Sequence, residues 1–218
     1  MDGETMSTED RIERARQACQ RAVFVGDVDA LDTAERELNM VEADLAVARG
    51  RIMQARSHEQ RTENPDELAM FQRATELYQG LGDVRGEGEA LFWVGTYHQM
   101  SMRDNDTAVP LLERSYELAA QVGDKLTMSY ALRHLGYADH IAGRLDAARE
   151  RLEESTRLRR EIGLLPGVAA NLVGLAYVAA AQGRRDHALA LIDEAGSIAD
   201  ASGAQAIMRQ VEEARTQL

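Results

Sequence analysis

The chain of 218 residues has few of the residues that cross-link or interrupt a polypeptide. It contains one cysteine and three prolines, and its aromatic content is only 5%. A single thiol cannot form a disulfide within the chain, which is consistent with a reducing compartment. The scarcity of proline, together with many Ala, Leu, Glu and Arg residues, favours helix over strand because these side chains lose little rotamer freedom in a helix.

Two further absences bear on location and partners. The sequence has no run of about 18 apolar residues, and its start lacks the cationic and apolar segments of a signal peptide. We therefore expect a cytoplasmic protein with no membrane partner. The formal net charge is −12, and nucleic acid is not expected as a partner because phosphate binding requires a concentrated positive surface.

Patterns that carry chemistry are also missing. No pair of the five histidines has metal-ligand spacing on one helix, and there is no glycine-rich phosphate loop or nucleophile motif. Cys19 has no histidine near it in sequence and is expected to pack as a small residue. The sequence thus predicts no metal site, no cofactor and no catalytic residue, and we do not expect an enzyme.

The strongest positive signal is an internal repeat with a period of about 40 residues, which is in the range of helical repeat proteins. Gly82, Gly123, Gly163 and Gly203 recur at almost equal spacing, and each follows a helical run. Glycine at these positions is typical of the left-handed residue that ends a helix. A fixed period of this length predicts a helical solenoid built from helix pairs, whereas a globular bundle would not require it.

Small and large residues recur at matching positions within each unit. In the second helix of each unit they fall at offsets of i, i+4 and i+7, which places them on one face. The small residues matter because two helices approach closely only where side chains are small. The matching positions are Val94-Gly95, Leu135-Gly136 and Leu175-Ala176 in the first helices, and Ala108, Leu112 and Ser115, Ala148, Leu152 and Ser155, and Ala188, Ile192 and Ala195 in the second helices.

The same pattern extends more weakly towards the N-terminus. It predicts a first unit made of helices over 8–25 and 29–40, and a second unit made of a helix over 41–61 and one that starts at Pro65. Residues 204–218 are amphipathic and suit a final helix that covers the last apolar face. We expect about five helical hairpins and a C-terminal capping helix, in one domain over 8–218 after a flexible segment 1–7.

The unit with Ala131, Leu135-Gly136, Gly143, Ala148, Leu152 and Ser155 resembles a tetratricopeptide repeat. It is most similar to the longer variety of this repeat, which is found in kinesin light chains and bacterial regulators. The resemblance implies an all-α fold, a right-handed α-α superhelix, in which the first helix of each pair lines a concave face. It is specific for the fold and nearly silent on the ligand.

By this resemblance, a set of first-helix residues lines the concave face and binds a ligand or peptide. Its aromatic members would form a contact surface, and its arginines would meet an acidic group. In the alternative interpretation, the tyrosines pack between helices and the arginines are solvated. The set is Arg51, His58, Glu89, Phe92, Thr96, Gln99, Tyr130, Arg133, Tyr137, His140 and Tyr177.

Two functions remain open from the sequence. The first is a protein- or peptide-binding interaction module, in bacterial regulation or complex assembly. The second is a sensor domain that binds a small molecule or a signalling peptide. In either case an exposed end of the stack could support a homodimer.

Overall fold

A computed structural model describes residues 7–60 and 64–218. The regular structure in these ranges is entirely helical, which confirms the all-α prediction. Of the predicted flexible segment 1–7, only Ser7 lies within the described residues, where it caps the first helix. The helices are α1 (Thr8–Val25), α2 (Asp29–Gln60), α3 (Pro65–Leu81), α4 (Val84–Met100), α5 (Asn105–Val122), α6 (Lys125–Ile141), α7 (Leu145–Glu161), α8 (Leu165–Ala181), α9 (Arg185–Ala201) and α10 (Gln205–Gln217).

The helices form two compact units. One extends up to Val94 and the other is Gly95–Leu218, so that the boundary falls within α4. Within each unit, a helix packs against the next helix in the sequence. In the described ranges, no helix is both long enough and apolar enough to cross a lipid bilayer.

The helix α2 corrects one prediction. The sequence predicted separate helices over 29–40 and 41–61, whereas Asp29–Gln60 is a single helix of 32 residues. No proline or glycine interrupts this segment before Gly50. Gly50 is itself buried within the helix, and a Cβ atom added there would lie 2.5 Å from the ring of Phe71. This glycine therefore serves the close approach of α3 and does not end α2, so the first two hairpins share one helix.

The repeated glycines end helices as predicted. Gly82, Gly123, Gly163 and Gly203 have φ angles of 71°, 69°, 72° and 67°. These left-handed angles cost little for glycine and are unfavourable for residues with a Cβ atom. The period of the repeat therefore comes from turns that each require the same backbone conformation.

The small residues of the repeat also have the predicted role. A Cβ atom added to Gly136 would lie 3.0 Å from the side chain of Leu152 and 3.3 Å from the carbonyl oxygen of Ala148. At the equivalent Gly95, the added atom would lie 2.9 Å from Leu112. Both glycines bring a first helix close to the second helix of its own pair.

Each unit has its own apolar core. In the first unit, alanine and valine side chains of α2 pack against α3 and the start of α4. In the second unit, α8 is the most buried helix, and Val211 and Ala214 of α10 cover its far side. The last helix therefore closes the apolar face of the Gly95–Leu218 unit, as its amphipathic sequence predicted.

Two glycines at the end of α3 provide a test of the turn chemistry. We expect Gly82→Ala to lower the free energy of unfolding by about 1 kcal/mol because alanine must adopt the left-handed angle. Gly80 lies two residues earlier with helical backbone and open space around it, so Gly80→Ala should raise that free energy by up to about 1 kcal/mol. Denaturant unfolding of both variants measures whether each substitution lowers or raises the free energy of unfolding. Equal destabilisation by both would contradict the turn assignment.

Candidate functional site

One cavity in the Gly95–Leu218 unit brings together four of the predicted site residues. Arg133, Tyr137 and His140 on α6 and Tyr177 on α8 all line it. These positions share a cavity because α6 and α8 are consecutive first helices of the repeat. Their side chains project from corresponding faces, and the cavity lies where those faces meet α10.

The cavity has a volume of about 390 Å³, which is within the size range of small-ligand sites. Its walls are mixed, with apolar and aromatic groups on most sides and a few polar groups between them. Tyr137 is 44% exposed and Ile141 is 60% exposed. The other lining residues are Met100, His134, Gly136, Leu152, Val173, Gly174, Gln210 and Glu213.

Arg133 is fixed at the wall of this cavity by neutral groups. Its Nη1 donates to the carbonyl oxygen of Ala170 at 2.7 Å and to Oδ1 of Asn171 at 3.0 Å. Asn171 is fully buried, and the same Oδ1 accepts a bond from Nη1 of Arg159 at 2.9 Å. One amide oxygen therefore orients two guanidinium groups.

The amide is held in turn by hydroxyl and carbonyl groups. Asn171 Nδ2 donates to Ser155 Oγ at 2.8 Å, and Ser155 Oγ donates to the carbonyl oxygen of Ser129 at 2.6 Å. Arg159 Nη1 also donates to the carbonyl oxygen of Gly167 at 2.8 Å. The arrangement satisfies the buried amide and fixes its orientation, which a polar group removed from water requires.

The two arginines lack a carboxylate partner among the described side chains. Burial lowers the pKa of Arg133, and burial together with the charge of Arg133 lowers the pKa of Arg159. A guanidinium nevertheless stays protonated in proteins. The wall of the cavity therefore carries a fixed positive charge whose hydrogen-bond acceptors among the described residues are neutral oxygen atoms.

The opposite side of the cavity is supplied by α10. Tyr177 donates its hydroxyl hydrogen to Oε1 of Gln217 at 2.9 Å. Burial and the nearby carboxylate of Glu213 raise the pKa of Tyr177, so its hydroxyl remains a donor at neutral pH. Burial lowers the pKa of His140, which keeps its imidazole neutral there. The cavity thus has a cationic wall and a carboxylate on α10, with neutral polar groups between them.

A second polar pair at the cavity wall joins the half-buried His134 to the buried Gln99. Nδ1 of His134 and Oε1 of Gln99 are 2.6 Å apart, so Nδ1 carries the hydrogen and donates it. Gln99 Nε2 donates to the carbonyl oxygen of His134 at 3.1 Å and to Oδ1 of Asn105 at 3.0 Å. Burial, and then the charges of Arg133 and Arg159, lower the pKa of His134 to about 3.

Comparisons with known proteins identify the repeat. Residues 86–161 match the family model described as tetratricopeptide repeat. This segment is similar to the tetratricopeptide repeat (TPR) family, as the sequence analysis expected. No curated protein matches the chain. Among solved structures, the crystal structure of BtubC (BKLC) from P. vanneervenii matches 91% of this chain and 93% of its own chain, with 16% sequence identity and a TM-score of 0.47.

The helix packing is typical of a TPR-like solenoid, and TPR domains generally mediate protein interactions.

Gln210 and Glu213 were not among the predicted site residues because α10 was expected to act only as a cap. The repeat itself provides the missing signal. Glu213 lies one repeat period after Val173, and Gln217 lies one repeat period after Tyr177. The capping helix therefore presents residues at the same positions as a first helix.

The predicted residues on α2 and the first part of α4 lie in the other unit. Arg51 lies 3.5 Å from the carboxylate of Glu89, and its guanidinium carbon is 5.3 Å from the ring centroid of Trp93. Phe92 is buried and packs edge-to-face on Trp93 at 4.9 Å. His58 lies in α2, and its side chain is outside the described residues. This unit thus offers an exposed arginine–glutamate pair, while Phe92 belongs to the core.

The remaining predicted residues in the Gly95–Leu218 unit do not line the cavity. Thr96 and Gln99 are buried, so their side chains have almost no surface to offer a ligand. Tyr130 is half-buried, and the guanidinium carbon of Arg159 lies 5.3 Å from its ring centroid. Tyr130 therefore supports the arginine network from behind.

The low pKa of His134 predicts a pH-dependent stability. Below its ordinary pKa of 6.5, the unfolded chain takes up a proton that the folded protein accepts only near pH 3. The free energy of unfolding should therefore fall as the pH is lowered through this window, by up to about 1.4 kcal/mol per pH unit. Denaturant unfolding between pH 7 and pH 4 measures the slope.

The contribution of His134 can be isolated by substitution. We expect His134→Gln to have a shallower slope than the native protein, because glutamine does not titrate. The matched control is His187→Gln, which removes an exposed histidine and should leave the slope unchanged. Identical slopes in the native protein and in His134→Gln would refute the assignment.

Proposed function

We propose that this protein is an interaction module that binds a peptide or protein segment in the cavity formed by α6, α8 and α10. One observation carries the proposal. Four residues that the family resemblance placed on the concave face line the same cavity, and one of them, Arg133, is hydrogen-bonded only to neutral groups among the described residues. The tetratricopeptide repeat match over 86–161 supports a scaffold role.

The lining favours a ligand with an acidic group next to an apolar or aromatic side chain. Of the guanidinium nitrogens of Arg133, only Nη1 donates a hydrogen bond to another described residue. The other guanidinium hydrogens of Arg133 are therefore available to a carboxylate. Tyr137, Met100 and Ile141 are each at least 44% exposed and would cover an apolar side chain. Exposed aromatic groups near a fixed arginine are typical of residues that dominate binding energy.

We further propose that the module works by binding and not by catalysis, in regulation or complex assembly in a bacterial cytoplasm. TPR repeats are generally non-catalytic scaffolds. The single cysteine, Cys19, was expected to pack as a small residue, but it is a free exposed thiol. Such a residue suits a reducing compartment.

Peptides selected from a random displayed library against the full chain provide the test. Tyr137→Ala should weaken the selected peptides on the order of ten-fold, because an exposed aromatic contact at a binding site contributes about 1–2 kcal/mol. Fluorescence anisotropy of labelled peptides measures the affinity, and thermal unfolding confirms that the variant is folded. Selected sequences should be enriched in Asp, Glu or a free C-terminal carboxylate.

The control for this experiment matches the residue type. Tyr116 is a half-buried tyrosine on α5 outside the cavity lining, and Tyr116→Ala should leave peptide affinity unchanged. Peptides that bind Tyr137→Ala as tightly as the native protein would exclude the cavity as the peptide site.

A second candidate function is a sensor for a small molecule or a short signalling peptide. The volume of the cavity favours it, because about 390 Å³ is typical of sites that enclose small ligands. Binding to the folded state alone raises thermal stability. A library of acidic metabolites and short peptides should then contain compounds that raise the melting temperature of the native protein and not that of Tyr137→Ala. If only long peptides bind, the sensor function is excluded.

A further inference from the structure

The helix α2 carries a stripe of exposed apolar residues that its own unit leaves uncovered. Leu31, Leu38, Leu45 and Ile52 recur at heptad spacing, and they are 37%, 43%, 46% and 53% exposed. Heptad spacing keeps side chains on one face of a helix and is the signature of a coiled-coil seam. The four residues cover three heptads and about 32 Å of helix.

Only α2, among the described helices, is long enough for such a seam. The other helices have 13 to 18 residues and end at turns, whereas α2 runs for 32 residues without a break. Its first part packs against α1 and its later part against α3. The apolar stripe lies on the face that neither helix covers.

The residues beside the seam are small or charged in a fixed order. In heptad terms Leu31, Leu38, Leu45 and Ile52 occupy position a, and position d holds Ala34, Val41, Ala48 and Ala55. Ala48 and Ala55 are exposed, whereas Ala34 is buried against α1, so the d positions are open only in the later part of α2. Small residues at position d of one helix leave space for large residues at position a of the facing helix. The two helices can then approach closely. The seam therefore fits a helix of the same pattern.

The charges decide the orientation of that second helix. Position e holds Glu35 and Glu42 followed by Arg49 and Arg56, so its sign reverses halfway along the helix. In an antiparallel pair, e positions face e positions of the other helix. Glu35 then faces Arg56 of the second copy, and Glu42, which accepts a hydrogen bond from Arg73 of its own chain at 2.7 Å, faces Arg49. In this register Leu45 packs on Ala48 of the second copy, which places apolar residues opposite each other along the seam.

The g positions carry less weight, because their charges already have partners within the chain. Glu37 pairs with Arg11, Asp44 accepts a hydrogen bond from Tyr78, and Arg51 lies 3.5 Å from Glu89. In a parallel pair, g positions face the following e positions. Glu37 would then face Glu42 and Arg51 would face Arg56 as like charges, whereas Asp44 would face Arg49 as an opposite charge.

We infer that α2 is a self-association surface on which a second copy of this chain docks antiparallel, as a two-fold symmetric homodimer. The register is the one that pairs Glu35 with Arg56 of the second copy. A two-fold axis makes every contact occur twice, so each favourable pair contributes to the dimer two times. This inference is independent of the peptide-binding proposal, since the seam and the cavity share no residue.

The first test is the association state of the native full-length chain. Sedimentation velocity over a concentration series should give a reversible monomer–dimer equilibrium. Leu45→Glu should abolish the dimer, because it places a charge in the central layer of the seam. The matched control is Leu126→Glu on α6, where the leucine is 42% exposed against 46% for Leu45. A native chain that stays monomeric at its highest attainable concentration would overturn the inference, as would equal loss of the dimer in both variants.

The second test determines the orientation of the two helices from whether a charge reversal weakens or strengthens the dimer. Glu35 and Arg56 are exposed and form no ion pair with other described residues, so changing them does not disturb a partner within the described part of the chain. Arg56→Glu should raise the dissociation constant on the order of ten-fold, because two attractive pairs become repulsive. The double variant Glu35→Arg with Arg56→Glu should restore native affinity.

A parallel dimer gives the opposite result. Arg56→Glu would then tighten association, because it would turn the like-charge contact with Arg51 into an attractive one. Disulfide trapping in a Cys19→Ser background provides a second readout. If the dimer is antiparallel, we expect a chain with Leu38→Cys to cross-link only when it also carries Ala55→Cys. Cross-linking of Leu38→Cys alone, or a tighter Arg56→Glu dimer, would refute the antiparallel assignment.

Discussion

Each helix of this protein buries one face against its neighbours, and the contact is so close that small residues are required where helices cross. Gly136 has no space for a methyl group against Leu152, and Gly50 has none against Phe71. Ala148 and Ala188 are completely buried at repeated positions of the second helices. The spacing of small residues therefore sets the distance between helices. With that distance fixed, the larger repeated residues can fill the core between them.

The cavity between α6, α8 and α10 arises where the chain departs from this pattern. Arg133 occupies a repeat position that holds Phe92 and Val173 in the adjacent units, and Arg159 stands where Ala119 and Ala199 stand in theirs. The replacement of apolar side chains by two arginines in one unit produces a buried polar network with no carboxylate among the described side chains. A charge buried without a counter-ion costs stability, and its retention beside a cavity is typical of a binding role.

The amide that holds these arginines is another departure from the repeat. Asn171 stands where Ala90 and Ala131 stand in the preceding units. Its oxygen accepts from both guanidinium groups, at 3.0 Å and 2.9 Å. Arg133, Arg159 and Asn171 lie apart in the sequence, but together they form one structural feature. The long helix α2 is a comparable departure at the level of secondary structure, because fusing two repeat helices creates a continuous surface.

The sequence by itself determined the helical class, the turn positions and the small-residue crossings. Each of these depends on the conformational preference of one residue, such as Gly123, or on spacing along one helix. The resemblance to a tetratricopeptide repeat also led to Arg133, Tyr137, His140 and Tyr177, because it implies that the first helix of each pair lines the concave face. The break predicted between 29–40 and 41–61 was wrong because the weak N-terminal repeat was extended through a segment that has no helix breaker.

Only the tertiary structure decided which of the selected residues share a site. Phe92 and Tyr137 both lie on first helices, yet Phe92 is buried and Tyr137 is exposed. It also revealed that Asn171 joins two arginines and that α10 supplies Glu213 to the cavity. The physical reason is that burial and hydrogen bonding depend on side chains from helices a full repeat apart in the sequence. The periodicity of one helix specifies a direction for each side chain, but not the residues that it meets there.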